Sequence, residues 1–220
     1  MENKIKTQLI VVRHGQTEWN AVDRFQGHLD TNLSDLGEKQ AKALASRIKD
    51  FQVEAIYSSD LKRAHSTAKP IAEKLELSIT TDERLRERHM GIFQGLTFAE
   101  IAQKFPSDYK KFMTWDPDYI IPQGESARQK HDRTMACFNE IADDNLGKEI
   151  LVVSHGGTID ALFRHALELK LSQPRKYKNF NASINRFFRL DDTWMLATWG
   201  EISHMLDHGL PISQSKNASL

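Results

Sequence analysis

Two apolar runs, "LIVV" at residues 9–12 and "ILVVS" at 150–154, each give way at once to a histidine and a glycine. Four consecutive apolar residues describe a strand buried on both faces, the pattern of a parallel sheet covered by helices. Helical periodicity follows each run, so both polar endings fall past a strand's carboxyl end, where open α/β sheets bind ligands. Parallel strands finishing on one edge would bring His14 and His155 together. Burial explains the strands. It does not explain the cation, ring and bare backbone of Arg13-His14-Gly15.

Further strands are expected at 54–58, 184–190 and 194–199. Ser34 is a candidate N-cap for a helix to Ile48, with Leu36, Ala41, Leu44, Ala45 and Ile48 on its inner face. Other helices are expected over 61–75, 98–104, 126–143 and 158–169. In the 126–143 segment, Ala127, His131, Met135, Phe138 and Ile141 mark the apolar stripe, and Cys137 reads as a small core residue. Strands alternating with helices predict a three-layer α/β/α fold with a mostly parallel sheet. The last two strands are joined by "DDT", too short for a crossover, so the sheet should carry an antiparallel edge strand. Residues 1–220 read as one domain. Within it, 91–125 mix prolines, aromatics and lysines, and read as an insertion or lid.

Thirty basic residues balance thirty acidic ones, so no global field favours nucleic acid or an anionic membrane. Any anion must be held by a local cluster. One cysteine excludes an internal disulfide. The mixed-charge start "MENKIKTQ" does not resemble a signal peptide, and no apolar run approaches the roughly 20 residues of a membrane span. A cytoplasmic protein is expected, and a homodimer is left open.

Two more signals join the strand-end histidines. In "YSSDLKRAHSTA", Arg63 falls in the first turn of a helix, where a cation is disfavoured unless an anion binds nearby. In "LRERHMGIFQG", Glu87 stands between two arginines ahead of glycines. Each signal alone is weak: a charged loop, a surface arginine, a structural histidine. Together they supply two imidazoles, two guanidiniums and one carboxylate. Arginine forks suit a tetrahedral oxyanion, and Arg13 with Arg63 would offset the two charges of a phosphoryl group.

The chain resembles the histidine phosphatase superfamily, the phosphoglycerate mutase-like group, along nearly its whole length. "RHGQTEWN", "RFQGHLDTNLSDLGEKQA", "SSDLKRAHSTA", "LRERHMGIFQG", "PQGES", "SHGG" and "NASINRF" occur in the family's order. The resemblance implies a phosphoglycerate mutase-like fold and a metal-independent phosphomonoester hydrolase. It makes His14 the nucleophile, phosphorylated on its distal ring nitrogen, and Glu87 the proton donor. Arg13, Arg63 and a protonated His155 would hold the phosphoryl oxygens. Asn20 matches a phosphate-contacting asparagine. Gly15, Thr17, Gln26, Gly27 and Gly156 are expected around the substrate, a small phosphorylated metabolite. Neither a metal nor a cofactor is implied.

Within the family, a cofactor-dependent phosphoglycerate mutase is the alternative. The mutase pattern "ERHYGGLQG" has tyrosine where this chain has Met90, and asparagine follows its "SHG" where this chain has Gly157. No adjacent arginine pair follows before Arg128, and Lys104, Lys110 and Lys111 are the nearest substitutes. These departures favour a phosphatase. Phe25, Met90, Phe93 and Trp115 would make the pocket mouth apolar, unless they pack in a core. Two other classes compete. A metal-dependent hydrolase would use His204 and His208, but no His-Glu-x-x-His pattern supports it. A non-catalytic phosphate-binding or interaction module would need no intact set of five central residues. His28, His65, His89, His131 and His165 read as surface or packing residues, with His89 close to Glu87.

Overall fold

The computed structural model describes residues 6–212. In chain order the elements are β1 (Lys6–Arg13), α1 (Glu18–Ala21), α2 (Asp35–Ile48), β2 (Val53–Ser58), α3 (Lys62–Leu75) and β3 (Ile79–Thr81). They continue with α4 (Phe98–Lys104), α5 (Pro106–Phe112), α6 (Ala127–Asp144), β4 (Glu149–Ser154), α7 (Gly156–Ala166), β5 (Ile184–Leu190), β6 (Thr193–Glu201) and α8 (Ser203–Asp207). The sheet order is β3-β2-β4-β1-β5-β6. β1 and β4 pair in parallel, with Val12 opposite Val153 and Arg13 opposite Ser154.

The double-sided burial expected of the apolar runs is present. Leu9 and Val11 of β1, with Ile150 and Val152 of β4, face Phe138 and Ile141 of α6 and Ile159 and Leu162 of α7. Ile10, Val12, Leu151 and Val153 face the other way, onto Leu44 and Ile48 of α2 and Ala68 and Ile71 of α3. Each such side chain, fully withdrawn from water, contributes about 1.5–3 kcal/mol. This alternation builds the three layers. At the far side of β1 the sheet reverses: β5 runs antiparallel to β1, and β6 antiparallel to β5.

Caps set the helix starts. Ser34 Oγ accepts from Gly37 N at 3.2 Å, and Ser126 forms a capping box with Gln129 at the start of α6. Helix α7 begins at Gly156, two residues before the expected start, so both glycines of "SHGG" lie in its first turn. The buried stripe of α6 also differs from expectation. His131 is only half-buried, while Lys130 and Thr134 are buried, because the helix turns that face toward α7. Cys137 is in the core as expected. β3 and α5 had no legible periodicity.

Residues 91–125 hold α4 and α5 around a small core of their own, with Met90, Phe93, Ile101 and Ile121 buried. Phe93 is central to that core and does not reach the pocket mouth. No helix among the described residues is long and apolar enough to cross a membrane. The first five residues of the "MENKIKTQ" segment lie outside the described residues.

Candidate active site

The helices that follow β1 and β4 diverge to opposite faces of the sheet, since α2 packs on one and α7 on the other. A crevice opens between the carboxyl ends of these neighbouring strands, at a topological switch point. His14 N donates to Ser154 O at 2.9 Å, extending the β1–β4 ladder by one step. The His14 and His155 rings consequently lie with centroids 5.2 Å apart.

The His14 tautomer follows from its partner. Nδ1 is 2.7 Å from Gly15 O, and a carbonyl only accepts, so Nδ1 carries the proton and Nε2 is left with its lone pair. Burial, then the charges of Arg63 and Arg13, hold the His14 pKa well below the ordinary histidine value. The ring is neutral. Gly15 makes the turn by close approach: a Cβ there would collide with the Gly37 carbonyl of α2. Gly15 N donates to Thr67 Oγ1 at 3.0 Å.

Arg63 reaches in from the first turn of α3, buried, donating to Leu29 O at 3.0 Å and Gly27 O at 2.8 Å. Arg13 Nη1 donates to Asn179 O. Burial pushes both guanidiniums down to about 10, with Arg175 adding to the effect on Arg13. The Nε atoms of Arg13 and Arg63 and both ring nitrogens of His155 are buried without a hydrogen-bond partner. Each such group costs about 1–3 kcal/mol, so this concentration of unsatisfied donors marks a place built for an anion. His155 differs from expectation in charge. Burial, then Arg63 and His14, push its pKa well below the ordinary value, so it is neutral rather than protonated.

Glu87 arrives from the loop after β3. Its Oε1 accepts from Arg88 N and its Oε2 from Gly157 N, both at 2.8 Å. A Cβ at Gly157 would fall on this carboxylate. The loop is fixed by Arg133, which donates to the carbonyls of Arg84 (2.8 Å), Arg86 (2.9 Å) and Glu87 (2.8 Å) and pairs with Glu125 at 2.6 Å. His28 Nε2 also lies 2.8 Å from Glu87 O, so His28 belongs to the site's frame. Sequence reasoning missed both supports.

The cleft, about 220 Å³, is lined by Arg13, His14, Asn20, Gln26, Gly27, Arg63, Glu87 and Gly156 among the expected residues. Gly15 and Thr17 are not in its lining, and His155, also absent from it, sits with its ring beside that of His14. Thr17 is the N-cap of α1, accepting from Asn20 N at 3.1 Å, and so fixes Asn20 rather than facing the cleft. Phe25, Met90 and Trp115 line the mouth as expected, joined by Phe98, Phe112 and Tyr119. Lys104, Lys110 and Lys111 are exposed outside it. The opposite wall carries Lys130, Asp160, Arg164 and Arg175, none singled out from the sequence. No group of three or more His, Cys, Asp or Glu among the described residues is placed to hold a metal ion. His204 is buried in α8, and His208 Nδ1 lies 2.8 Å from its carbonyl.

Comparison with known proteins places the chain among relatives. Phosphoglycerate mutase-like protein 4 of Arabidopsis thaliana is 42% identical over 206 residues, covering 92% of this chain and 88% of that protein. A metal-independent phosphoserine phosphatase of the same plant is 39% identical over 209 residues, covering 92% and 85%. The solved structure of a mutant phosphoserine phosphatase from Entamoeba histolytica, in complex with phosphoserine, matches with a TM-score of 0.80 at 30% identity, covering 90% of this chain and 99% of its own. The family model of the histidine phosphatase superfamily (branch 1) matches residues 9–202. The chain belongs to that superfamily.

Proposed function

We propose that this protein is a metal-independent phosphomonoesterase that works through a phosphohistidine on His14. The observation that carries the reading is a neutral His14, with Nδ1 committed to Gly15 O, beside two buried arginines whose Nε atoms have no partner. The Nε2 lone pair attacks phosphorus and the ester P–O bond breaks. Glu87, in its acid form, gives its proton to the leaving oxygen. Water then attacks the phosphoryl group, Glu87 takes the proton back, the P–N bond breaks, and phosphate leaves with His14 neutral again.

Arg13 and Arg63, with the Gly156 N–H, hold the phosphoryl oxygens by preorganised charge. Neutral His155 adds one N–H donor, and a bound dianion would favour its protonation. Asn20, Gln26, Gly27 and Gly156 line the substrate. Gly15 and Thr17 position His14 and Asn20 from behind. The insertion at 91–125 serves as the lid of this single domain, supplying the aromatic wall. Gly157 departs from the mutase pattern, which has asparagine there, and its lack of a side chain leaves room for the Glu87 carboxylate in this chain. The substrate class is a small phosphorylated metabolite. A reducing cytoplasm suits Cys137, whose thiol burial pushes up to about 12.

The test is hydrolysis of para-nitrophenyl phosphate in the presence of a chelator, from about pH 5 to 8. Wild type should turn over and His14→Ala should fall to background. A folded, inactive wild type, or chelator-sensitive activity, would contradict the reading.

A further inference from the structure

The loop between α1 and α2 meets both halves of the catalytic apparatus at one residue, His28. The carbonyls on either side of it, Gly27 O and Leu29 O, accept from the two Nη atoms of Arg63 at 2.8 and 3.0 Å. Its ring reaches the loop after β3, where Nε2 lies 2.8 Å from Glu87 O. A carbonyl only accepts, so Nε2 carries the proton. Three consecutive residues therefore tie the phosphoryl clamp to the main chain of the proton donor.

His28 is itself fixed at both ends. Its N–H donates to Gln94 Oε1 at 2.7 Å, from the insertion. That amide fills the space over Gly27, where φ is +54° and a Cβ would collide with it. The His28 ring packs edge-on against the His89 ring, with centroids 4.6 Å apart. His89 Nδ1 accepts from Gly91 N at 3.1 Å and His89 N donates to Glu125 Oε1 at 2.8 Å, so the neighbouring ring is held too. Arg133, from α6, donates to the same Glu87 carbonyl at 2.8 Å, and a carbonyl has a lone pair for each donor. His28 is the donor that refers Glu87 to Arg63.

We propose that His28 is a positioning residue that keeps Glu87 in register with the phosphoryl group gripped by Arg63, aiming its proton at the leaving oxygen. His28 is not in the lining of the cleft, so it acts through Glu87. The inference rests on the phosphatase reading and adds a residue that tunes its first step. A misaimed acid penalises an ester according to how much its leaving oxygen needs the proton. Para-nitrophenolate departs as a stable anion, whereas an alkoxide does not. General damage to the fold slows both esters alike.

The experiment measures kcat/KM, which covers the steps through the first displacement, for para-nitrophenyl phosphate and for the better of phosphoserine and glycerol phosphate. His28→Phe keeps a ring against His89 and removes the donor. It should lose about 10–10²-fold on the alkyl ester and less than about threefold on the aryl ester. His28→Gln, whose amide keeps an N–H donor at similar reach, should recover most of the loss. His28→Asn, an amide one methylene shorter, should repeat the selective loss, so the test stands even where the phenylalanine variant folds poorly. Equal loss on both esters, no loss on either, or a glutamine variant no better than the donor-free ones would overturn the role of His28 while leaving the phosphatase reading intact. Failure of wild type on every ester would overturn both.

Discussion

At position 157 a missing side chain decides where the carboxylate of Glu87 can sit. The Gly157 peptide is held from both sides, its N–H on Glu87 and its carbonyl on Lys130, and a Cβ would occupy the carboxylate's place. Gly157→Ala should therefore lower kcat/KM by about 10²–10⁴-fold, the usual value of a positioned proton donor. Its melting temperature should stay near that of wild type, because alanine suits a helix's first turn. Unchanged kinetics would show that Glu87 is not held there. Arg13, His14, Arg63 and His155 stood out in the sequence because each ends or follows a strand or opens a helix, a local pattern, whereas Glu87, in the loop beyond β3, took its role only from the resemblance of its motif to the family's. Lys130 and Asp160 did not stand out. Each occupies the apolar stripe of its own helix and looks like an interruption until α6 and α7 are packed together. Arg175 lies in an irregular stretch with no periodicity to interrupt.

At the scale of elements, the long periodic ones were legible to within a few residues. The expected helix at 98–104 matches α4, and that at 61–75 starts one residue late, at Lys62. β3, of three residues, carries too few positions for a period, and α5 lies among the prolines, aromatics and lysines of the insertion, where no apolar stripe stands out. Two helix starts matter for function. In α3, Arg63 is the second residue and no acid lies in the first turn; a carboxylate from elsewhere, Asp30, accepts from Lys62 N at 2.8 Å. In α7, the earlier start places Gly156 and Gly157 in the lining of the crevice, with the Gly157 N–H on Glu87.

For the whole molecule, the buried neutral histidines tie stability to pH. His14 and His155 have folded pKa values well below the ordinary one, and His28, His165 and His204 are lowered too, burial being the main cause in each. Below about pH 6.5 the unfolded chain binds protons that the folded chain refuses, so stability falls as pH falls, by up to about 1.4 kcal/mol per pH unit for each of the fully buried His14 and His155 and by less for half-buried His28 and exposed His165, which solvent screens. The acids with depressed pKa values, among them Asp60, Asp82 and Glu125, lose their contribution only nearer pH 4. The melting temperature should therefore drop between about pH 7 and 5, ahead of any carboxylate titration. A flat profile there would mean that these rings accept protons in the folded state.

The central claim is that His14 carries the phosphoryl group between two displacements. Glu87→Gln should slow release of that group, since no carboxylate remains to activate water. Mixing this variant with a phosphomonoester, quenching in alkali to preserve phosphohistidine and mapping the modified peptide tests the claim directly. The account predicts one phosphoryl group, on His14, and none when His14 is also replaced by alanine. Turnover with no phosphorylated residue, or with the group on another side chain, would contradict it.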